Sequence, residues 1–133
     1  MLNPTLEAPA EAEAEALAAA RAFGTALKAS KEFGALVASD EAIGRDPAAE
    51  AAITAFNRLQ QELRAEITMG VLQDSQRAEL DQRQQAMTAV PSISAYLAAM
   101  TAFQGVCRDT ASIVSAEIGI DFAANSRSGG CCG

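Results

Sequence analysis

A long apolar stripe near the carboxyl end of the chain sets the strongest limit on its fold. Between Ser92 and Ile118, side chains of core type recur at steps of three and four residues, the spacing of one helix face. Gly119 follows directly and suits the residue that ends a helix. The stripe comprises Ile93, Tyr96, Leu97, Met100, Phe103, Cys107, Thr110, Ala111, Val114 and Ile118. We therefore expect a long C-terminal helix at the centre of the fold.

The rest of the chain also favours helices. Good helix formers, alanine above all, dominate it, and it has only five Phe, one Tyr and no Trp. Its 133 residues suffice for one compact domain. The predicted fold class is all-α, a bundle of about five helices that includes an antiparallel hairpin. We expect a flexible N-terminus over 1–9, a helical domain over 10–122 and a flexible Gly/Cys-rich tail over 123–133.

Capping and turn residues divide the domain into its helices. Ser30 interrupts the first helix and suits the N-cap of the second. In the segment 44–47, glycine ends a helix, Asp46 caps the next and Pro47 takes its first position. Gly70 ends the third helix, Asp74 or Ser75 caps the fourth, and their short connection predicts an antiparallel hairpin. The expected helices span about 10–29, 31–43, 47–69, 76–89 and 92–118.

Charge and hydropathy exclude several partners. The chain has 17 acidic and 10 basic residues, a net charge of −7, and its basic residues are scattered. A surface that follows a phosphate backbone needs clustered Lys and Arg, so we expect no direct contact with nucleic acid. No apolar segment reaches the length of a membrane span, and no signal peptide is visible. We expect a cytoplasmic protein.

The residue types also argue against catalysis. Without histidine there can be no Ser-His-Asp or Cys-His arrangement. No glycine-rich phosphate-binding motif is present either. Glu62 and Glu66 stand one turn apart on a helix, but with no histidine to join them we interpret them as part of a solvated face. We therefore predict that the protein is not an enzyme.

The three cysteines fall into two kinds. Cys107 lies on the apolar stripe and is predicted to be a core residue. Cys131 and Cys132 follow two glycines at the end of the chain. Exposed free thiols are normally avoided on protein surfaces, so we expect these two to have a role. They could form a vicinal disulfide, bind a metal as thiolates or ligate an iron–sulfur cluster, which normally takes four cysteines. One chain offers two good ligands, with Cys107 a weak third, so a complete site would need a second chain.

Several motifs resemble those of the YlbF/YmcA family of small bacterial cytosolic regulators. The similarity covers the chain from about residue 13. The most specific match is the segment Glu117–Phe122, EIGIDF, followed by a cysteine-containing glycine-rich terminus. The matching segments are Phe23–Phe33, Asp46–Ile53, Phe56–Leu63, Ile113–Phe122 and Gly129–Gly133.

The resemblance implies an all-helical protein that self-associates or pairs with paralogous helical subunits. Members of this type act with a third protein, YaaT, in sporulation, competence and biofilm development, and in messenger-RNA maturation by an endoribonuclease. Their complex is described as carrying iron–sulfur clusters. Carried over here, the candidate ligands are Cys131 and Cys132, with Cys107 third. The family tail tends to have spaced cysteines, as in CGC, whereas here the two are adjacent.

The leading hypothesis is a non-enzymatic regulator or adaptor that assembles through its apolar helix faces. An alanine-rich core buries little area per residue, so we expect a dimer or higher homo-oligomer. The tail thiols would serve an iron–sulfur cluster or a metal. Two alternatives stay open: a purely structural interaction module with incidental cysteines, and a thiol-redox sensor that uses Cys131 and Cys132.

Overall fold

A computed structural model describes residues 10–127, which form helices and no strand. The all-α prediction is therefore confirmed, although this part of the chain has seven helices where about five were expected. The helices are α1 Ala10–Lys28, α2 Lys31–Gly44, α3 Pro47–Glu62, α4 Arg64–Met69, α5 Asp74–Thr88, α6 Pro91–Ile118 and α7 Phe122–Ser126.

The packing of α2 against α6 is the most extensive contact between helices in residues 10–127. Phe33 near the start of α2 meets Phe103 in the middle of α6, with ring centroids 5.6 Å apart. Asp46 just after α2 meets Ser92 at the start of α6. Because the two contacts run in opposite order along the helices, α2 lies antiparallel to α6. The long C-terminal helix is thus central, as its stripe predicts.

Local capping explains why the helices begin and end where they do. The Phe33 N–H donates to Ser30 Oγ at 3.2 Å, which caps α2. The Ala48 N–H donates to Asp46 Oδ1 at 2.9 Å, and Pro47 takes the first position of α3. Gly70 and Gly119 end α4 and α6 with φ of 68° and 75°, a conformation that favours glycine. These four signals were read correctly from the sequence.

The third predicted helix, 47–69, is broken in the structure. Leu63 departs from helical geometry, with φ −98° and ψ 10°, and separates α3 from α4. Both Leu59 and Leu63 are 9% exposed, so the break coincides with the burial of two side chains on successive turns. No proline or glycine marks this position, and the local sequence therefore gives no sign of it.

Two other boundaries differ from the prediction. Helix α5 begins at Asp74, and its N-cap is Gln73, whose N–H donates to Gln76 Oε1 at 2.9 Å. The predicted N-cap, Asp74 or Ser75, is therefore wrong, and a glutamine takes that position. Helix α7 occupies part of the predicted flexible tail, because Asp121 Oδ1 accepts from the Ala124 N–H at 3.0 Å and starts a new helix.

Helices α3 and α5 pack against each other, as the predicted hairpin requires. Between α5 and α6 the chain bends by 85°. No single helix within 10–127 has the length and apolar character needed to cross a bilayer; only α5 and α6 counted together reach them, across that bend.

The core is thin. Within residues 10–127 the buried hydrophobic side chains are Ala49, Leu59, Leu63 and Ile93. On α2, Phe33 and Leu36 are half-buried, and Val37 is 41% exposed. Alanine fills helix contacts without covering its larger neighbours, so apolar faces that the periodicity assigns to the core remain partly in solvent.

The Asp46–Ser92 contact generates a pH-dependent prediction. Ser92 Oγ donates to Asp46 Oδ2 at 2.6 Å, and this hydrogen bond lowers the pKa of Asp46 below its ordinary value of 3.8. A carboxylate with a lowered folded-state pKa stabilises the fold above its unfolded-state pKa, and the stabilisation is lost as the pH falls through the folded-state pKa. Ser92→Ala should therefore reduce the free energy of unfolding at pH 7, and reduce it less near pH 2.

Urea denaturation at the two pH values measures this difference. Ser94→Ala is the matched control, because Ser94 is exposed in the same first turn and its hydroxyl makes no hydrogen bond within 10–127. An equal loss of stability for Ser92→Ala at pH 7 and pH 2 would contradict the role of the ionised Asp46.

Candidate functional site

An apolar groove separates α1 from the C-terminal half of α6. Its volume is about 630 Å³. α1 does not pack closely along α6, so the groove remains open between them. The lining residues are Ala16, Ala19, Ala20 and Phe23 of α1, Cys107, Thr110, Ala111 and Val114 of α6, and Phe122 of α7.

The groove offers almost nothing to a polar ligand. Of its lining side chains only those of Cys107 and Thr110 carry a polar atom, and Thr110 Oγ1 already donates to the Val106 carbonyl at 2.9 Å. A charged or strongly hydrated molecule would lose its water here without gaining partners. The surface therefore suits an apolar helix face.

The EIGIDF segment closes one end of this groove. Gly119 ends α6 in the left-handed conformation, and Asp121 then caps α7. The Phe122 N–H donates to Ser115 Oγ at 3.0 Å, while Ser115 Oγ donates to the Ala111 carbonyl at 2.7 Å. This relay fixes α7 on α6 and places Phe122 at the groove. The role of Phe122 was missed in the sequence, although the Gly119 and Asp121 capping signals could have indicated it.

Large apolar side chains are exposed well beyond the groove. Phe23 and Phe122, which line it, are 42% and 44% exposed. Single exposed apolar side chains are ordinary on a protein surface, whereas a large contiguous apolar patch is typical of an interaction site. The exposed large hydrophobic side chains among residues 10–127 are Leu17, Phe23, Val37, Ile67, Met69, Val71, Leu97, Ile113, Ile118, Ile120 and Phe122.

Among residues 10–127, Cys107 belongs to no cluster of metal-binding side chains. It is a free, half-buried thiol on the groove wall, where the sequence predicted a buried core residue. Within 10–127 no three His, Cys, Asp or Glu side chains stand close enough to hold a metal ion. Cys131 and Cys132 lie outside the described residues. The described residues thus do not provide a site for an iron–sulfur cluster.

The carboxylates Glu62 and Glu66 differ in their surroundings. Glu62 is exposed, in accord with a solvated face. Glu66 is half-buried, and its Oε2 atom is buried without a hydrogen-bond partner in this part of the protein. The two do not belong to a group of three metal-ligating side chains within 10–127.

The fold and this groove define a class of protein, namely a small helical protein with an open apolar groove. The sequence narrows that class to a family. Residues 16–119 match the family model described as "Control of competence regulator ComK, YlbF/YmcA". The chain therefore belongs to the YlbF/YmcA family, a family of regulators, as its motifs predict. Searches of curated proteins and of solved structures found no match.

The Ser115 relay can be tested by hydrogen exchange. Ser115→Ala removes the oxygen that accepts from the Phe122 N–H, and loss of one hydrogen bond costs about 1 kcal/mol, or roughly fivefold in a local opening equilibrium. We expect the amides of Phe122 and Ala124 to exchange about fivefold faster, while those of α3 stay unchanged. Ser112→Ala, in the same helix but exposed, should leave all these rates as they are. Unchanged exchange at Phe122 in Ser115→Ala would show that the relay does not hold α7.

Proposed function

We propose that this protein is a non-enzymatic cytosolic regulator that acts by assembling with other helical chains, itself included. The observation that carries the proposal is the combination of a regulator family with a thin core and many exposed apolar side chains. A side chain such as Ile113, 65% exposed, contributes little to the fold of one chain but would contribute if a partner covered it. Because the family is described by control of the competence regulator ComK, we propose competence or a related developmental pathway as the regulated process.

The residue types of the chain and of the groove favour a non-enzymatic role. The sequence has no histidine, and the groove carries no carboxylate. The pKa of Asp46 is lowered by the hydrogen bond that its carboxylate accepts from Ser92, a contact between the starts of two helices. Perturbed groups of an active site cluster in a cleft, whereas Asp46 has a structural partner.

The self-association part is tested by the mass of the purified protein. Multi-angle light scattering at about 50 µM should give twice the 13.8 kDa of one chain, since interfaces of the usual size hold dimers together at micromolar concentration. Dilution to about 1 µM should lower the mass if the dimer is of moderate affinity. A mass of one chain at every concentration would contradict self-association and leave only assembly with other proteins.

A second part of the proposal concerns the tail thiols. We propose that Cys131 and Cys132 supply thiolates to an iron–sulfur cluster or another metal centre, completed by cysteines of a second copy, a paralogous subunit or a YaaT-like protein. Two such pairs would provide the four cysteines that clusters normally take. Cys107 is a poor ligand because it stands in an apolar groove with no second donor among the residues described.

Anaerobic purification followed by iron, sulfide and zinc assays tests this part. The wild-type protein should carry metal, and Cys131→Ser/Cys132→Ser should lose it, whereas Cys107→Ser should retain it. Absence of metal from the wild-type protein, or equal loss in Cys107→Ser, would contradict the assignment. The two alternative roles give other results: incidental cysteines predict no metal and unchanged assembly, and a redox sensor predicts reversible oxidation of Cys131 and Cys132 by mild peroxide.

A further inference from the structure

We infer that helix α1 of a second copy of this chain binds in the groove between α1 and α6. The two α1 helices would pack antiparallel to each other. The inference rests on the proposed self-association and specifies its surface. Each α1 would fill the groove of the other copy, so one patch would serve both chains around a two-fold axis, the usual arrangement of a symmetric dimer. The four helices α1, α6 and their two symmetry mates would form a bundle.

The chain as a whole exposes more surface than a compact monomer of its mass. Such a monomer exposes about 6,600 Å², whereas the chain exposes 10337 Å². At most about 2,200 Å² of the difference can belong to residues 1–9 and 128–133, which lie outside the described residues. The remaining surplus, about 1,500 Å², is roughly twice what each partner buries in a standard interface.

Helix α1 is the helix that would bury the most additional surface in such a dimer. It spans 19 residues, and none of them is buried. Its groove face carries Ala16, Ala19, Ala20 and Phe23, at the spacing of one helix side. Small side chains let two helix axes approach to the lower end of the usual 8–10 Å range. The face is thus shaped for a close helix neighbour, which α6 of the same chain does not provide.

Charge identifies the neighbour as another α1 in antiparallel orientation. The first half of α1 carries Glu11, Glu13 and Glu15 and no basic residue, while the second half carries Arg21 and Lys28 and no acidic residue. Antiparallel pairing sets the acidic half of each helix beside the basic half of the other. With the crossing at Ala19, the middle of the helix, Glu13 of one copy stands within about one turn of both basic residues of the second. A parallel arrangement would set like charges together.

Site-specific cross-linking tests the surface. In the full chain with Cys107→Ser, Cys131→Ser and Cys132→Ser, we would add Ala19→Cys. A disulfide needs Cα atoms about 4.4–6.8 Å apart, so only a residue close to the two-fold axis can link to its own copy. Mild oxidation should give a covalent dimer on a non-reducing gel. The matched control is Ala18→Cys, one residue along and on the other side of the helix, which should stay monomeric on the gel.

The outcomes separate this inference from the proposed function. A dimer mass by light scattering with a linked Ala19→Cys and an unlinked Ala18→Cys supports the inference. A dimer mass in which Ala19→Cys does not link, or Ala18→Cys links equally well, would overturn the groove assignment and leave self-association in place. A monomer mass for wild type and background alike would overturn both.

Charge exchange provides a second, independent measurement. Arg21→Glu should raise the dimer dissociation constant about fivefold at low salt, the order expected for two symmetry-related exposed ion pairs. Adding Glu13→Arg in the same chain should restore the wild-type constant, because the exchanged charges again face each other. Arg58→Glu, on α3, should change nothing. Failure of the double variant to recover, with both variants folded by circular dichroism, would rule out the antiparallel register.

Discussion

The contact between α2 and α6 is the interaction on which the rest of this structure depends. Its aromatic pair, Phe33 and Phe103, and the Asp46–Ser92 hydrogen bond fix two antiparallel helices at separate points. Asp46 also caps α3, so one carboxylate starts one helix and holds the first turn of another. Since α6 is 28 residues long and α2 only 14, the C-terminal half of α6 extends past this contact. That half, which α2 does not cover, forms one wall of the groove.

The high alanine content favours the helices of this fold but leaves its hydrophobic core small. Alanine has the highest helix propensity and little side chain to bury, so the helices form readily but cover one another poorly. Within 10–127 four hydrophobic side chains are buried, and many larger ones are exposed. A partner of the kind proposed above would cover these apolar faces and supply part of the core, which would link stability to function.

The three cysteines differ in their suitability as metal ligands because their positions in the chain differ. Cys107 and the two tail cysteines share a side chain, but Cys107 faces an apolar groove that offers no cluster of metal ligands among the described residues. Cys131 and Cys132 follow glycines and come as a pair, which is why a metal role is proposed for them alone. The family motif EIGIDF, which precedes them, has a separate structural purpose: it turns the chain after α6 and sets Phe122 at the end of the groove.

The sequence by itself determined the all-α class, the family and most helix ends, because capping by Ser30, Asp46, Gly70 and Gly119 is a local interaction between neighbours in the chain. It did not determine the break at Leu63 or the exposure of Val37, since burial depends on which distant helix arrives at a face. Periodicity showed that α1 and α6 each have an apolar side. Only the tertiary structure showed that the two sides stand apart and leave a groove, because the spacing of helices is fixed by contacts remote in sequence.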